Sequence, residues 1–175
     1  MSSVNTELWW MSTPISLISQ EHRLKISAKT DYAVRAACEL AGAEPAKPIK
    51  AETLAQLQAI PANFLENILS ALRNSGIVRS QRGAVGGYFL ARPAETISLA
   101  DIIRAVDGPL AAVRGEAPED QSYSGAASKV ADIWVAVRAS LRLVLEETTL
   151  ADLVAQKLPE HVQALIDSPD AWSRR

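Results

Sequence analysis

The stretch "PANFLENILSALRNSGIVRSQRGAVGGYFLAR", residues 61–92, runs a helix pattern, a stop and a hairpin pattern in immediate succession. Leu65, Ile68, Leu69 and Leu72 recur at helical spacing and form one apolar stripe. Asn63, Glu66, Asn67, Ser70 and Asn74 fall on the opposite side. Pro61 suits the opening of this helix and Gly76 its close. "IVRS" and "GYFLA" then read as short strands, and "QRGAVGG" between them supplies glycines where a tight hairpin needs positive φ. The order predicts a two-faced helix followed at once by a basic β-hairpin.

Upstream, "AETLAQLQAI" predicts a short helix buried through Leu54, Leu57 and Ile60, so the two helices form a helix-turn-helix pair. Before it, "AEPAKPIK" is a proline-broken loop. "LKISAKTDYAVRAACELAG" predicts a helix with Ala33, Ala36, Ala37, Leu40 and Ala41 on its inner face, Ser27 or Thr30 at its start and Gly42 at its end. In such a unit the second helix can offer its outer face to the major groove. Asn matches the N6/N7 edge of adenine, and Glu can accept from cytosine N4. Taken alone, that outer face also fits a merely solvated helix. A hairpin just behind it can lie over the backbone or minor groove, where an arginine such as Arg82 at the tip is favoured. A phosphate-cradling loop fits poorly, since "GAVGG" lacks the P-loop lysine and a strand-to-helix setting.

Charge is unevenly placed. Leu24 to Arg92 holds nine basic and five acidic residues, whereas Pro93 to Arg175 holds eight basic and thirteen acidic, within a chain of net charge −2. A basic half and an acidic half suggest separate tasks. With 175 residues and 48% hydrophobic content the chain can bury a core. No apolar run reaches membrane-spanning length and no secretory pattern opens the chain, so a cytoplasmic location without membrane contact is expected. Cys38 is the lone cysteine, expected as an inert core thiol, and His22 and His161 lack metal-ligand spacing. No catalytic pattern is evident, so the chain is expected not to be an enzyme.

Beyond Gly108-Pro109 and a polar loop, Val130, Trp134, Val137, Leu141 and Val144 recur at spacings of four and three, with Ile133, Ala136 and Leu143 on a neighbouring face. One face can pack on the rest of the chain and the other on a twin; an intrachain core helix is the alternative. Thr149 with Asp152 is expected to cap a short "LADLVAQ" helix, and "PEHVQALI" to form another after Pro159.

From Lys25 to about Leu165 the sequence resembles the Rrf-two family of bacterial winged-helix regulators, which includes iron–sulfur-cluster, nitric-oxide-sensing and cysteine-metabolism members. The resemblance is carried by "KISAKTDYAVRA" (25–36), "FLENILSALRNSGIVRSQRGAVGGYFLARP" (64–93) and "ISLADIIRAVDGP" (97–109). It implies that Asn63, Phe64, Glu66 and Asn67 face DNA bases and that Arg82 enters the minor groove. Cluster-holding members carry three cysteines after the fourth helix, where this chain reads "LAAVRGEAPEDQSYSGAASKV" with none. The resemblance therefore implies a member without a cluster or other cofactor, responding through a regulatory protein or a small-molecule effector. Leu24 stands where members begin with Met, which suggests that residues 1–23 precede the natural start.

The expected protein is mainly α with a small β-hairpin. Residues 1–23 form an irregular extension, 24–108 a winged helix-turn-helix, 109–127 a loop, and 128–175 a dimerisation helix with short C-terminal helices. Its expected function is sequence-specific transcription regulation as a homodimer on a palindromic DNA operator; a winged-helix protein-interaction module is the alternative. Lys29, Asn63, Phe64, Glu66, Asn67, Ser70, Arg73, Arg79 and Arg82 are expected at DNA, and Val130, Trp134, Val137, Leu141 and Val144 at the twin. No metal site is expected.

Overall fold

A computed structural model describes residues 26–173 apart from 46 and 84. The expected N-terminal extension and His22 lie outside the described residues. The chain is mainly helical with one antiparallel hairpin. The elements run α1 (Ala28–Gly42), α2 (Ala51–Gln58), α3 (Ala62–Asn74), β1 (Val78–Gln81), β2 (Gly87–Leu90), α4 (Leu99–Asp107), α5 (Val130–Leu145), α6 (Leu150–Val154) and α7 (Glu160–Asp167).

α1 is the hub, because its inner face is almost all alanine. Ala33, Ala36 and Ala37 are fully buried, and such small side chains let neighbouring helices approach closely. Leu65, Ile68, Leu69 and Leu72 of α3 pack into the same core, with Leu54 of α2 and Ile102 and Val106 of α4. Ser27 caps α1 by accepting from the Thr30 N–H. Asp107 at the end of α4 accepts from the hydroxyls of Ser27 and Thr30, and Lys29 Nζ donates to the Val106 carbonyl. The start of α1 is thereby tied to the end of α4.

One expectation needs correction. Leu57 is 57% exposed rather than buried, because α2 is only two turns long and faces the core through Leu54, flanked by Ala51 and Ala55, before Ala59 turns the chain in the left-handed conformation. Gly42 ends α1 as expected, and Ala43 leaves the helix in an extended conformation, so no left-handed cap is used.

The chain returns to the core after α5. Residues 97–99 and 148–150 pair through an isolated antiparallel bridge, Leu99 N–H to the Thr148 carbonyl and Leu150 N–H to the Ile97 carbonyl. Each side of the bridge opens a helix with the same device, a capping box of Ser98 with Asp101 and of Thr149 with Asp152. Leu150 thus enters the core beside Ile97. Hydrogen bonds from Thr149 hold the Asp152 carboxyl below its usual range. α5 itself has no buried residue; it rests mainly on the Pro118–Asp120 turn and on α4.

Candidate nucleic-acid interface

The turn from α2 into α3 sets the angle of the two-faced helix, and α1 clamps it. Arg35 donates from Nη2 to the Gln58 carbonyl and from Nε to Gln58 Oε1 at 3.1 Å, while Gln58 Nε2 donates to Glu39. Ala59 then takes a left-handed φ of 51°, a conformation that costs a non-glycine residue about 1 kcal/mol and is held here by the clamp. Arg35 also sits 5.5 Å from the Tyr32 ring centre, and Tyr32 meets Phe64 edge-on at 6.2 Å. The sequence reading missed this chain of contacts, although Asp31, Tyr32 and Arg35 share one helix face by their spacing.

On α3 the apolar stripe is 0–1% exposed, so the polar set is turned outward. Asn63, Glu66, Asn67, Arg73 and Asn74 are exposed and Ser70 is half-buried. Phe64 is 53% exposed, its ring set nearly perpendicular to that of Tyr32. Asn67 Nδ2 donates to the Asn63 carbonyl at 3.1 Å, one turn back.

The wing follows in tight register: Val78 pairs with Leu90, Arg79 with Phe89, Ser80 with Tyr88 and Gln81 with Gly87. Val78 anchors it in the core while Arg79, Ser80 and Gln81 are exposed. A third segment joins the sheet, Ile49 exchanging both main-chain hydrogen bonds with Tyr88 at 2.9 and 2.8 Å. That pairing was also missed, since a single bridging residue between prolines and lysines has no alternating pattern to reveal it. Arg82 and Val85 stand exposed in the turn, Val85 at 79%.

Electrostatics distinguish this face from the remainder of the molecule. Among the described residues Arg35, Arg92, Arg104, Arg114, Arg138 and Arg142 are each hydrogen-bonded or ion-paired within the chain. Arg73, Arg79 and Arg82, all between the end of α3 and the wing tip, are exposed and have no such partner. The expected Lys29 is placed differently: half-buried, with its ammonium on Val106.

These features, a two-faced helix with exposed amides and a hairpin carrying unpaired arginines, match known regulators. The family model Rrf2, described as "Iron-dependent Transcriptional regulator", covers residues 26–156. The chain belongs to the Rrf2 family. Members of this kind are DNA-binding transcription regulators. Rv1287 of Mycobacterium tuberculosis, which carries an HTH-type transcriptional regulator name, is 51% identical over 144 residues, spanning 82% of this chain and 89% of its own. CymR of Bacillus subtilis is 36% identical over 132 residues, 75% of this chain and 91% of its own. The solved structure of CymR, the global cysteine regulator of that organism, superposes with a TM-score of 0.64 over 77% of this chain and 99% of that one. T. potens IscR superposes at 0.61 with 32% identity, covering 80% and 96%. The winged-helix architecture of these Rrf2 relatives is the one built here by α1 to β2.

Iron–sulfur clusters are held chiefly by thiolates. The loop 109–129 contains no cysteine. Cys38 is half-buried on α1, packed against the core, and burial, with the nearby Glu39 charge, pushes its thiol up, away from the thiolate form. Among the described residues no group of three or more His, Cys, Asp or Glu is placed to hold a metal ion. These residues do not suit such a cluster. No helix among the described residues is long and apolar enough to cross a membrane.

Proposed function

We propose that this Rrf2 member is a cytoplasmic, sequence-specific regulator that binds a palindromic operator as a homodimer and carries no iron–sulfur cluster of its own. The observation that carries the reading is the distribution of arginines: among the described residues only those on α3 and the wing lack an internal partner, which is what a phosphate-binding surface requires. In this reading Asn63, Phe64, Glu66, Asn67 and Ser70 approach base edges in the major groove. Arg73 and Arg79 meet phosphates, and Arg82 enters the flanking minor groove. Lys29, with one of its three N–H donors on Val106, adds a phosphate contact at the start of α1.

In this reading 24–108 is the DNA-binding unit, 109–127 the loop that carries cysteines in cluster-holding relatives, and 128–175 the assembly segment, of which α6 returns to pack on the core of the first unit. α5 supports this division because Val130, Trp134, Val137, Leu141 and Val144 are only half-covered while Ile133, Val135 and Leu143 are exposed. A second copy of the same helix supplies the missing cover, and a two-fold dimer matches a palindrome.

The test is fluorescence anisotropy on an operator selected by the full chain from a random library, repeated across salt concentrations. Tight binding that falls steeply with salt, log–log slope about −0.9 per phosphate neutralised, is expected. Binding without salt dependence, or no selected consensus, would overturn the reading.

A further inference from the structure

Away from the α3 and wing face, arginines among the described residues converge at one other place. Arg104 of α4 and Arg138 and Arg142, one turn apart on α5, line a cleft of about 450 Å³ completed by Glu119 and by Gly108, Pro109 and Leu110. Three guanidiniums there are shared by two carboxylates. Arg138 Nη1 meets Glu119 Oε2 at 2.6 Å, while Glu146 Oε1 accepts from Arg104 and, at 3.0 Å, from Arg142 Nε. The arginine contacts hold both carboxyls below their ordinary range, so both are ionised at neutral pH. The side chains of Glu119 and Glu146 are 53% and 36% exposed and can swing into water, whereas Arg138 is only 21% exposed. The cleft therefore keeps one uncompensated cation and two replaceable anions around planar donor forks, which suit carboxylate and phosphate oxygens.

We propose that this cleft binds a small metabolite carrying two acidic groups, carboxylate or phosphate, which take the places of Glu119 and Glu146 on the three arginines. Its role as an effector site rests on the regulator reading above. The position explains how occupancy would be felt at DNA. Arg104–Glu146 is the ion pair joining α4 to α5 among the described residues. Three residues beyond Arg104, Asp107 holds Ser27 and Thr30 at the start of α1. A ligand in the place of Glu146 exchanges the Arg104–Glu146 tie for its own bridge between Arg104 and Arg142, which resets the angle between the assembly helix and the DNA-binding unit. In a dimer, that angle sets the spacing of the two recognition helices.

The test is isothermal titration calorimetry of the full chain with citrate and with pyrophosphate at constant ionic strength, alongside operator anisotropy with and without each probe. Saturable binding of at least one probe is expected, together with a change in operator affinity. Glu119→Gln removes the internal competitor and should tighten probe binding by roughly threefold, an effect that general damage to the fold would not produce. Arg138→Lys with Arg142→Lys keeps the charge but loses the forked geometry, and should weaken binding by about tenfold. Absence of saturable heat with either probe, or equal affinity in all three proteins, overturns the site. Probe binding with unchanged operator affinity overturns its coupling to DNA. Operator binding measured without probe keeps the two readings apart: its failure would sink the regulator while leaving the site standing, and its success beside silent calorimetry would do the reverse.

Discussion

Replacing Gly87 with alanine should detach the wing without touching any residue proposed to meet DNA. Gly87 begins β2 with a φ of +157°, and a Cβ built there lies 3.0 Å from the Ile49 backbone nitrogen and closer still to the Ile49 carbonyl. Backbone cannot swing aside as a side chain can, so the Ile49 segment must part from β2. The two main-chain hydrogen bonds between Ile49 and Tyr88 are then lost. At about 1 kcal/mol each, the destabilisation is about 2 kcal/mol. For a chain of this size that lowers Tm by roughly 4–8 °C. DNA affinity should fall further, because a misplaced wing forfeits the Arg82 contact, about 1–3 kcal/mol. Thermal denaturation followed by circular dichroism, with anisotropy on the selected operator, measures both. Ser80→Ala, on the exposed side of β1, serves as the control and should change neither. A Gly87→Ala protein with wild-type Tm and wild-type operator affinity would refute the three-segment wing and its role.

Arg82→Ala should leave Tm unchanged, weaken operator binding by about 1–3 kcal/mol and make the salt slope shallower by about one unit, read from anisotropy at several salt concentrations. Asn67→Ala should relax base preference more than it lowers non-specific affinity, because an amide facing base edges supplies discrimination while charge supplies the background attraction; a selection that returns the wild-type consensus would contradict this. Leu141→Glu should yield monomers in sedimentation and lose operator affinity, since two half-sites are no longer read together. Acid should loosen the ends of α5 and α6. Glu119, Glu146 and Asp152 have folded values below their unfolded ones, so their contribution is complete above the ordinary carboxylate range. It is lost as pH falls through the lowered values, and a stability titration by denaturant at several pH values should show that decline on the acid side.

Local pattern determined a large share of this protein. The leucine stripe of α3, the glycine-bearing turn between β1 and β2, and the Thr149–Asp152 capping box each depend on residues close in sequence, and each was legible for that reason. The polar face of α3 was legible for the same reason, since burying Leu65, Ile68, Leu69 and Leu72 leaves Asn63, Glu66 and Asn67 nowhere to go but outward. Tertiary structure decided what depends on distant partners. Leu57 carries the same apolar signal as Leu54, yet a two-turn helix docks along one line and leaves Leu57 in water. Ile49 becomes a wing residue only because the fold brings it to Tyr88, and Leu150 a core residue only because Ile97 pairs with it across the whole length of α5. Which arginines remain unpaired was decided in the same way. Arg82 and Arg138 look alike in the sequence, but Arg138 is met by Glu119 from a loop nineteen residues away in sequence, while no carboxylate among the described residues reaches Arg82. A charge's availability is set by what folding places beside it, and that information is not carried by local spacing.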